Sequence, residues 1–255
     1  MKIGTIHRSE VLTSGQALTG NHIQGLFNGQ ILGLLKPGVL PESVCKMCAL
    51  QVRAQSESTR YAGNLATGIG VPTWSIRAER GDTPEAWHAY FASVPAADAL
   101  RQQIFEPIIG CDPLDLLMAL LQAAWPHPVV RGVHQHFGRK LNGCLVRGGV
   151  ALPHHDEAGR HAGLESLGHI GVVLVLDAMQ GAYQRIWPVK LEPNDEETYP
   201  MDEPVGVPYL DIPTPVGSVS FLSAVYRHKV QDDDRRLTVA IHVSLHPSGQ
   251  LVVYA

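Results

Sequence analysis

Three side chains in two short stretches of this chain could share one metal ion. The first stretch reads Gly149-Val-Ala-Leu-Pro-His154-His155-Asp156-Glu157. At a strand end, residues i and i+2 point to one face, so the His154 imidazole and the Asp156 carboxylate can reach one point while His155 turns away. The second stretch is Pro215-Val-Gly217-Ser-Val-Ser-Phe221-Leu-Ser-Ala-Val-Tyr226-Arg-His228-Lys-Val230. It reads as a glycine turn, an apolar strand and a histidine at the far end of that strand. Two imidazoles and one carboxylate suit iron(II) and leave three coordination positions open. Either stretch alone is ordinary, since a surface H-x-D pair or a hydrogen-bonded histidine explains it. The combination at two strand ends points to a metal.

Three open positions let a 2-oxo acid chelate through two oxygens while O2 takes the last. 2-Oxoglutarate in that role needs a cation for its distal carboxylate. The next strand, Arg235-Arg236-Leu-Thr238-Val-Ala-Ile-His242-Val, offers one. Alternation puts Arg236, Thr238, Ala240 and His242 on one face and Leu237, Val239, Ile241 and Val243 on the other. A guanidinium fork pairs bidentately with a carboxylate, and Thr238 adds a hydroxyl. The shared face favours Arg236 over Arg235. His127, His134, His136, His169 and His246 read as ordinary hydrogen-bonded histidines, and His242 as a residue standing behind the ligands.

The elements that must position these groups follow from composition and punctuation. At 255 residues, 45% hydrophobic and 17% charged, the chain suits a single globular domain. We expect a mixed helical lead-in over 1–125 and a β core over 126–255. Residues 29–35 read as a strand and 41–52 as an amphipathic helix carrying Cys45 and Cys48. That C-x-x-C has no second pair at zinc-ribbon spacing, so its cysteines read as small core residues. Residues 56–82 read as loop. Thr83-Pro84-Glu85 and Asp112-Pro113 are helix starts with proline at the first helical position, predicting two helices between 84 and 124 broken near Gly110. Beyond Pro126, short apolar runs alternate with Gly and Pro. Strands are expected at 141–147, 150–153, 171–177, 183–189, 218–222, 236–244 and 251–254, with a long surface loop over 190–213. The fold class expected is α+β with a mainly β core: a double-stranded β-helix, or cupin-like jelly roll, with N-terminal helices packed on it.

The stretch from Pro215 and Gly217 through Phe221, Tyr226, His228 and Val230 to Arg235 and Arg236 resembles the C-terminal signature of the 2-oxoglutarate/Fe(II)-dependent dioxygenases. Within that superfamily the chain is similar to a small-molecule branch with the hapalindole-type (welwitindolinone) iron halogenases and the N-acyl amino acid hydroxylases. The similarity spans about 60–255 and is specific only at the metal and cosubstrate motifs. It implies Fe(II), 2-oxoglutarate and O2 as cofactor and cosubstrates. Those halogenases carry glycine where this chain has Asp156, so hydroxylation is implied and halogenation is not. The interval from His228 to Arg236 is shorter than in many relatives, which leaves Arg235 open as well.

A small-molecule substrate is expected, an amino acid or N-acylated amino acid first and a larger natural-product intermediate second. Arg77, Arg80, Arg160 and Arg185 are candidate clamps for a substrate carboxylate. Trp74, Tyr183, Trp187 and Tyr226 are candidate apolar walls. Desaturation, epimerisation or ring closure would use the same motifs, and a non-catalytic metal-binding cupin-like module is the rival from another class. The net charge of −4, without a Lys/Arg cluster, argues against nucleic acid. The longest strongly apolar run is too short to span a bilayer. A cytoplasmic protein without membrane contact is expected, and a homodimer stays open.

Overall fold

The computed structural model describes residues 7–55, 58–61, 64–73, 75–76, 81–149, 151–156, 162–190, 202–233 and 235–255. Four helices stand out among them: α1 (Gly20–Phe27), α2 (Glu42–Gln55), α3 (Pro84–Ile109) and α4 (Pro113–Ala124). The strands are β1 (Arg8–Val11), β2 (Ile31–Lys36), β3 (Ser58–Tyr61), β4 (Asn64–Ile69), β5 (Val129–Arg131), β6 (Val133–His134), β7 (Arg139–Lys140) and β8 (Leu145–Gly148). They continue with β9 (His169–Asp177), β10 (Tyr183–Lys190), β11 (Leu210–Pro213), β12 (Val219–Ser223), β13 (Tyr226–Gln231), β14 (Leu237–Leu245) and β15 (Leu251–Tyr254).

The helix boundaries follow the residues that cap them. Thr83 accepts a hydrogen bond from the Ala86 amide, Pro84 opens α3, and Gly110 ends it in the left-handed conformation at φ 80°. Asp112 caps α4 through the Leu114 amide at 2.8 Å and also receives Arg101 from α3 at 2.7 and 2.8 Å. That buried ion pair ties the two helices together across their break. Cys45 and Cys48 are free and fully buried, in keeping with core residues.

Ten of the described strands form one large sheet, with the order β1-β2-β12-β9-β14-β8-β4-β3 and with β15 bridging β14 and β5. A second sheet has the order β11-β10-β13. The two faces of the large sheet differ. One carries Val172, Leu174, Val219, Phe221, Leu237, Val239, Ile241 and Val243, which share one core with Ile23 and Leu26 of α1, Cys48 and Val52 of α2, Phe105 of α3 and Leu117 of α4. The opposite face meets the small sheet, where Ile186 and Ile212 pack with Leu32, Leu35 and Leu222. Gly33 of β2 makes this approach possible, because a Cβ there would collide with the Ile212 side chain.

Several expectations need correction. Residues 56–82 contain β3 and β4, with β4 pairing β8 through Ile69 and Val146, so the N-terminal part supplies strands as well as helices. The run at 151–153 forms no named strand and only leads into an isolated bridge at His154. The expected loop at 190–213 ends in β11. His228 does not close the strand that begins at 218. The chain leaves the large sheet at Ser223, turns at Ala224 and Val225, and enters the small sheet as β13, with His228 its third residue.

Candidate metal centre

His154 and His228 face each other across an antiparallel bridge with both backbone bonds made, at 2.9 and 2.8 Å. Their rings lie 4.2 Å apart between centroids. The Asp156 amide donates to the Ala224 carbonyl at 3.0 Å, which fixes its carboxylate against both rings. Asp156 Oδ1 lies 3.3 Å from His154 Nε2, and Oδ2 lies 3.4 Å from His228 Nε2. One ligand atom from each of the three residues falls within 4.8 Å of the others, a group that could hold a metal ion.

Two further bonds bear on whether a metal fits. His154 Nδ1 meets the Leu152 carbonyl at 2.5 Å, and His228 Nδ1 meets the Tyr226 carbonyl at 2.8 Å. With Nδ1 of each ring held by a backbone carbonyl, Nε2 is the atom each imidazole turns towards Asp156 and offers to a metal once deprotonated. Such outer hydrogen bonds orient metal-binding imidazoles. Burial works against the charge on Asp156, but His228 and His154 outweigh it and hold the carboxyl well below the usual carboxylate range. Burial likewise opposes a charge on His228, and Asp156 reverses that and raises its pKa. A carboxylate kept ionised between two oriented imidazoles is a donor set that fits iron(II).

His155 points away, as expected. It is buried, its Nε2 meets the Val189 carbonyl at 3.0 Å, and burial lowers its pKa. His169 contacts the Asp156 carbonyl through Nε2.

Arg236 immediately precedes β14, in register with its inner-face residues, and is only 3% exposed, whereas the Arg235 side chain is 67% exposed and pairs with Asp233. The Arg236 guanidinium donates to the Gly149 carbonyl at 3.1 Å, and its Nε lies 3.8 Å from Asp232 Oδ2 without a hydrogen-bond partner. Gly149 accommodates this contact at φ 92°, a conformation that favours glycine. Burial first, and the neighbouring Arg147 second, push the Arg236 pKa down to about 9, with Asp232 acting against them. Thr238 is fully buried on the same face and donates to the Arg147 carbonyl at 3.4 Å. His242 follows on that face, stacked on Tyr254 at 5.8 Å, and burial pushes it down to about 4 so that it stays neutral.

The substrate candidates fare differently. Arg77, Arg80, Arg160 and Trp74 lie outside the described residues. Arg185 needs correction. β10 pairs with β13 so that Ile186 opposes His228 and Arg185 opposes Lys229, which puts Arg185 on the face of the small sheet turned away from the metal ligands. There it donates two hydrogen bonds to the Asp211 carboxylate, each at 2.8 Å, and covers the Tyr209 ring at 3.5 Å. Trp187, two residues on, is buried and meets Tyr209 edge-on at 6.5 Å. Tyr183, also on that face, lies 5.3 Å below the Arg185 guanidinium. Tyr226 packs its ring against His7 at 5.6 Å, and its carbonyl, not its ring, serves the site by holding His228.

Sequence reasoning overlooked three inner-face residues. Arg147 pairs with Thr238 across β8 and β14 and therefore shares the face of Arg236. Gln184 of β10 and Ser220 of β12 are buried with Gln184 Oε1 and Ser220 Oγ unpartnered. The signal for Arg147 was a lone charge inside Leu145-Val-Arg-Gly148.

No protein-family model matches the sequence, and no curated protein resembles it at a significant level. Solved structures do share its fold. An N-substituted L-amino acid dioxygenase from Burkholderia ambifaria AMMD, crystallised in complex with alpha-KG, superposes with a TM-score of 0.60 over 92% of this chain and 90% of its own, at 11% identity. A second crystal structure of an N-substituted L-amino acid dioxygenase from the same organism gives 0.58 over 96% of both chains, also at 11% identity. The chain therefore has the jelly-roll fold found in 2-oxoglutarate-dependent oxygenases. At that identity the likeness concerns the fold. Among the described residues, no helix is long and apolar enough to cross a membrane.

Proposed function

We propose that the chain is an Fe(II)/2-oxoglutarate-dependent dioxygenase that hydroxylates a C–H bond of a small carboxylate-bearing molecule, an amino acid or N-substituted amino acid. The observation that carries this reading is the meeting of His154, Asp156 and His228 with both Nε2 atoms turned inward. These three residues would hold the iron. Iron(II) bound there would couple the oxidative decarboxylation of 2-oxoglutarate to oxygen transfer, so that substrate, O2 and 2-oxoglutarate give hydroxylated substrate, succinate and CO2.

The chain's own residues bind, orient and exclude water. Arg236, with a free buried Nε, receives the distal carboxylate of 2-oxoglutarate, and that arriving charge offsets the burial of the guanidinium. Thr238, beside it, adds a hydroxyl. The two backbone bonds between His154 and His228 keep the ligands in place before any metal arrives, so binding loses little ordering entropy. His242, kept neutral, borders the site without adding charge.

The test is direct. Protein loaded with iron(II) under argon and then given 2-oxoglutarate, ascorbate and O2 should form succinate, and a metabolite panel should yield a product heavier by one oxygen. Absence of any 2-oxoglutarate-dependent succinate would reject the reading.

A further inference from the structure

We propose that Arg147 holds the substrate's own carboxylate inside the barrel, a role that rests on the dioxygenase reading above. Arg147 is half-buried on β8, and its register against Thr238 directs it to the face that carries Arg236 and His242. The opposite face of the same strand, at Val146, belongs to the apolar core. A cation pointing inward from a barrel strand normally meets a carboxylate. Among the described residues Arg147 has no such partner: its carbonyl accepts from Thr238, while its guanidinium has no hydrogen bond or ion pair.

The charges around it leave one place to fill. Arg147 opposes Thr238, two residues beyond Arg236, and its charge disfavours the protonated form of Arg236, so two cations stand together at this end of the site. Asp232 lies 3.8 Å from the Arg236 Nε and forms no ion pair with Arg147. 2-Oxoglutarate brings two carboxylates. One would go to Arg236, and the other would be taken up by the metal that His154, Asp156 and His228 would hold. Neither remains for Arg147, so its fork is matched by a third carboxylate, that of the substrate. Such a clamp would select free acids over their amides and esters, because the neutral analogue leaves the cation unpaired.

Calorimetry on nickel(II)-loaded protein saturated with 2-oxoglutarate tests this without turnover. The probes are the N-acetyl-L-amino acids, each paired with its C-terminal amide. At least one acid should bind about 10- to 100-fold more tightly than its amide, the range expected for hydrogen bonds to a charged group. Arg147→Gln should erase that difference while leaving 2-oxoglutarate affinity within about threefold. Should that variant fail to fold, Arg147→Lys, which keeps the charge but not the fork, should reduce the preference part-way. The proposal is overturned if no acid in the panel outbinds its amide, or if the preference survives either substitution undiminished. It is also overturned if Arg147→Gln weakens 2-oxoglutarate as much as the acid, which would place Arg147 on the cosubstrate. Failure of the wild type to bind 2-oxoglutarate in a separate titration would instead reject the dioxygenase reading itself.

Discussion

The two faces of the large sheet use the same strands for different purposes. On β14, Leu237, Val239, Ile241 and Val243 are each at most 1% exposed and belong to the core shared with the helices. The residues between them, Thr238, Ala240 and His242, line the barrel with Arg236 ahead of them. Four buried polar atoms without partners lie on the inner side: Arg236 Nε, His242 Nδ1, Ser220 Oγ and Gln184 Oε1. A fold kept only for stability would pair or remove these groups. The outer face therefore secures the fold, and the inner face holds polar groups ready for ligands.

Substitutions that separate the two faces test this division. The largest effect is expected from His228→Ala, which should abolish iron binding and with it all 2-oxoglutarate turnover, as measured by metal analysis and succinate release. Retained activity would reject the triad. Asp156→Gly should lose hydroxylation too, because the carboxylate ligand is gone. On the outer face, Phe221→Ala should cost about 3–5 kcal/mol in urea unfolding through the cavity it leaves, with metal affinity in the folded protein unchanged. A loss of metal affinity there would show that the faces are coupled.

His242 gives a pH signature. Its folded pKa, about 4, lies below the ordinary histidine value of 6.5. The unfolded chain therefore takes up a proton first as pH falls. Stability should be fully present above about pH 6.5 and lost progressively towards pH 4, by about 3 kcal/mol. His242→Phe should flatten that slope in metal-free protein, and an unchanged slope would assign it to other groups. Arg236→Gln should weaken 2-oxoglutarate binding by about 10- to 100-fold, while Arg235→Gln should leave it unchanged. Smallest of all, Arg185→Ala should leave both cosubstrate and substrate binding within about twofold, since its hydrogen bonds lie on the outward face.

Much of this was legible because a strand period of two is a strong signal. The His154/Asp156 spacing and the Arg236/Thr238/His242 alternation place those side chains as the structure does, and β15 begins and ends where the pattern says. What escaped depends on which side of a strand is the inside. Arg185 sits on a strand read correctly from sequence, but only pairing with β13 reveals that it faces outward. β13 itself was hidden because Tyr-Arg-His-Lys-Val-Gln has two inward residues, His228 and Val230, among polar ones, too few for an apolar run. Residues 58–69 are rich in Ser, Thr and Gly, a composition that names loops more readily than an edge hairpin. Arg147 was passed over because a lone arginine in a short strand is usually solvated.

The neighbour of β2 in the large sheet has a consequence for how the molecule is made. Leu34 pairs with Phe221, so β2, whose other edge is taken by β1, finds this second mate only after β3 to β11 have been made. Closing so long a loop is entropically costly, and topologies of this kind assemble slowly. Until then the apolar segment 31–35 leaves the ribosome with an open edge, the sort of surface that pairs with other chains. Yield of folded protein should therefore depend on chaperone supply and temperature during expression.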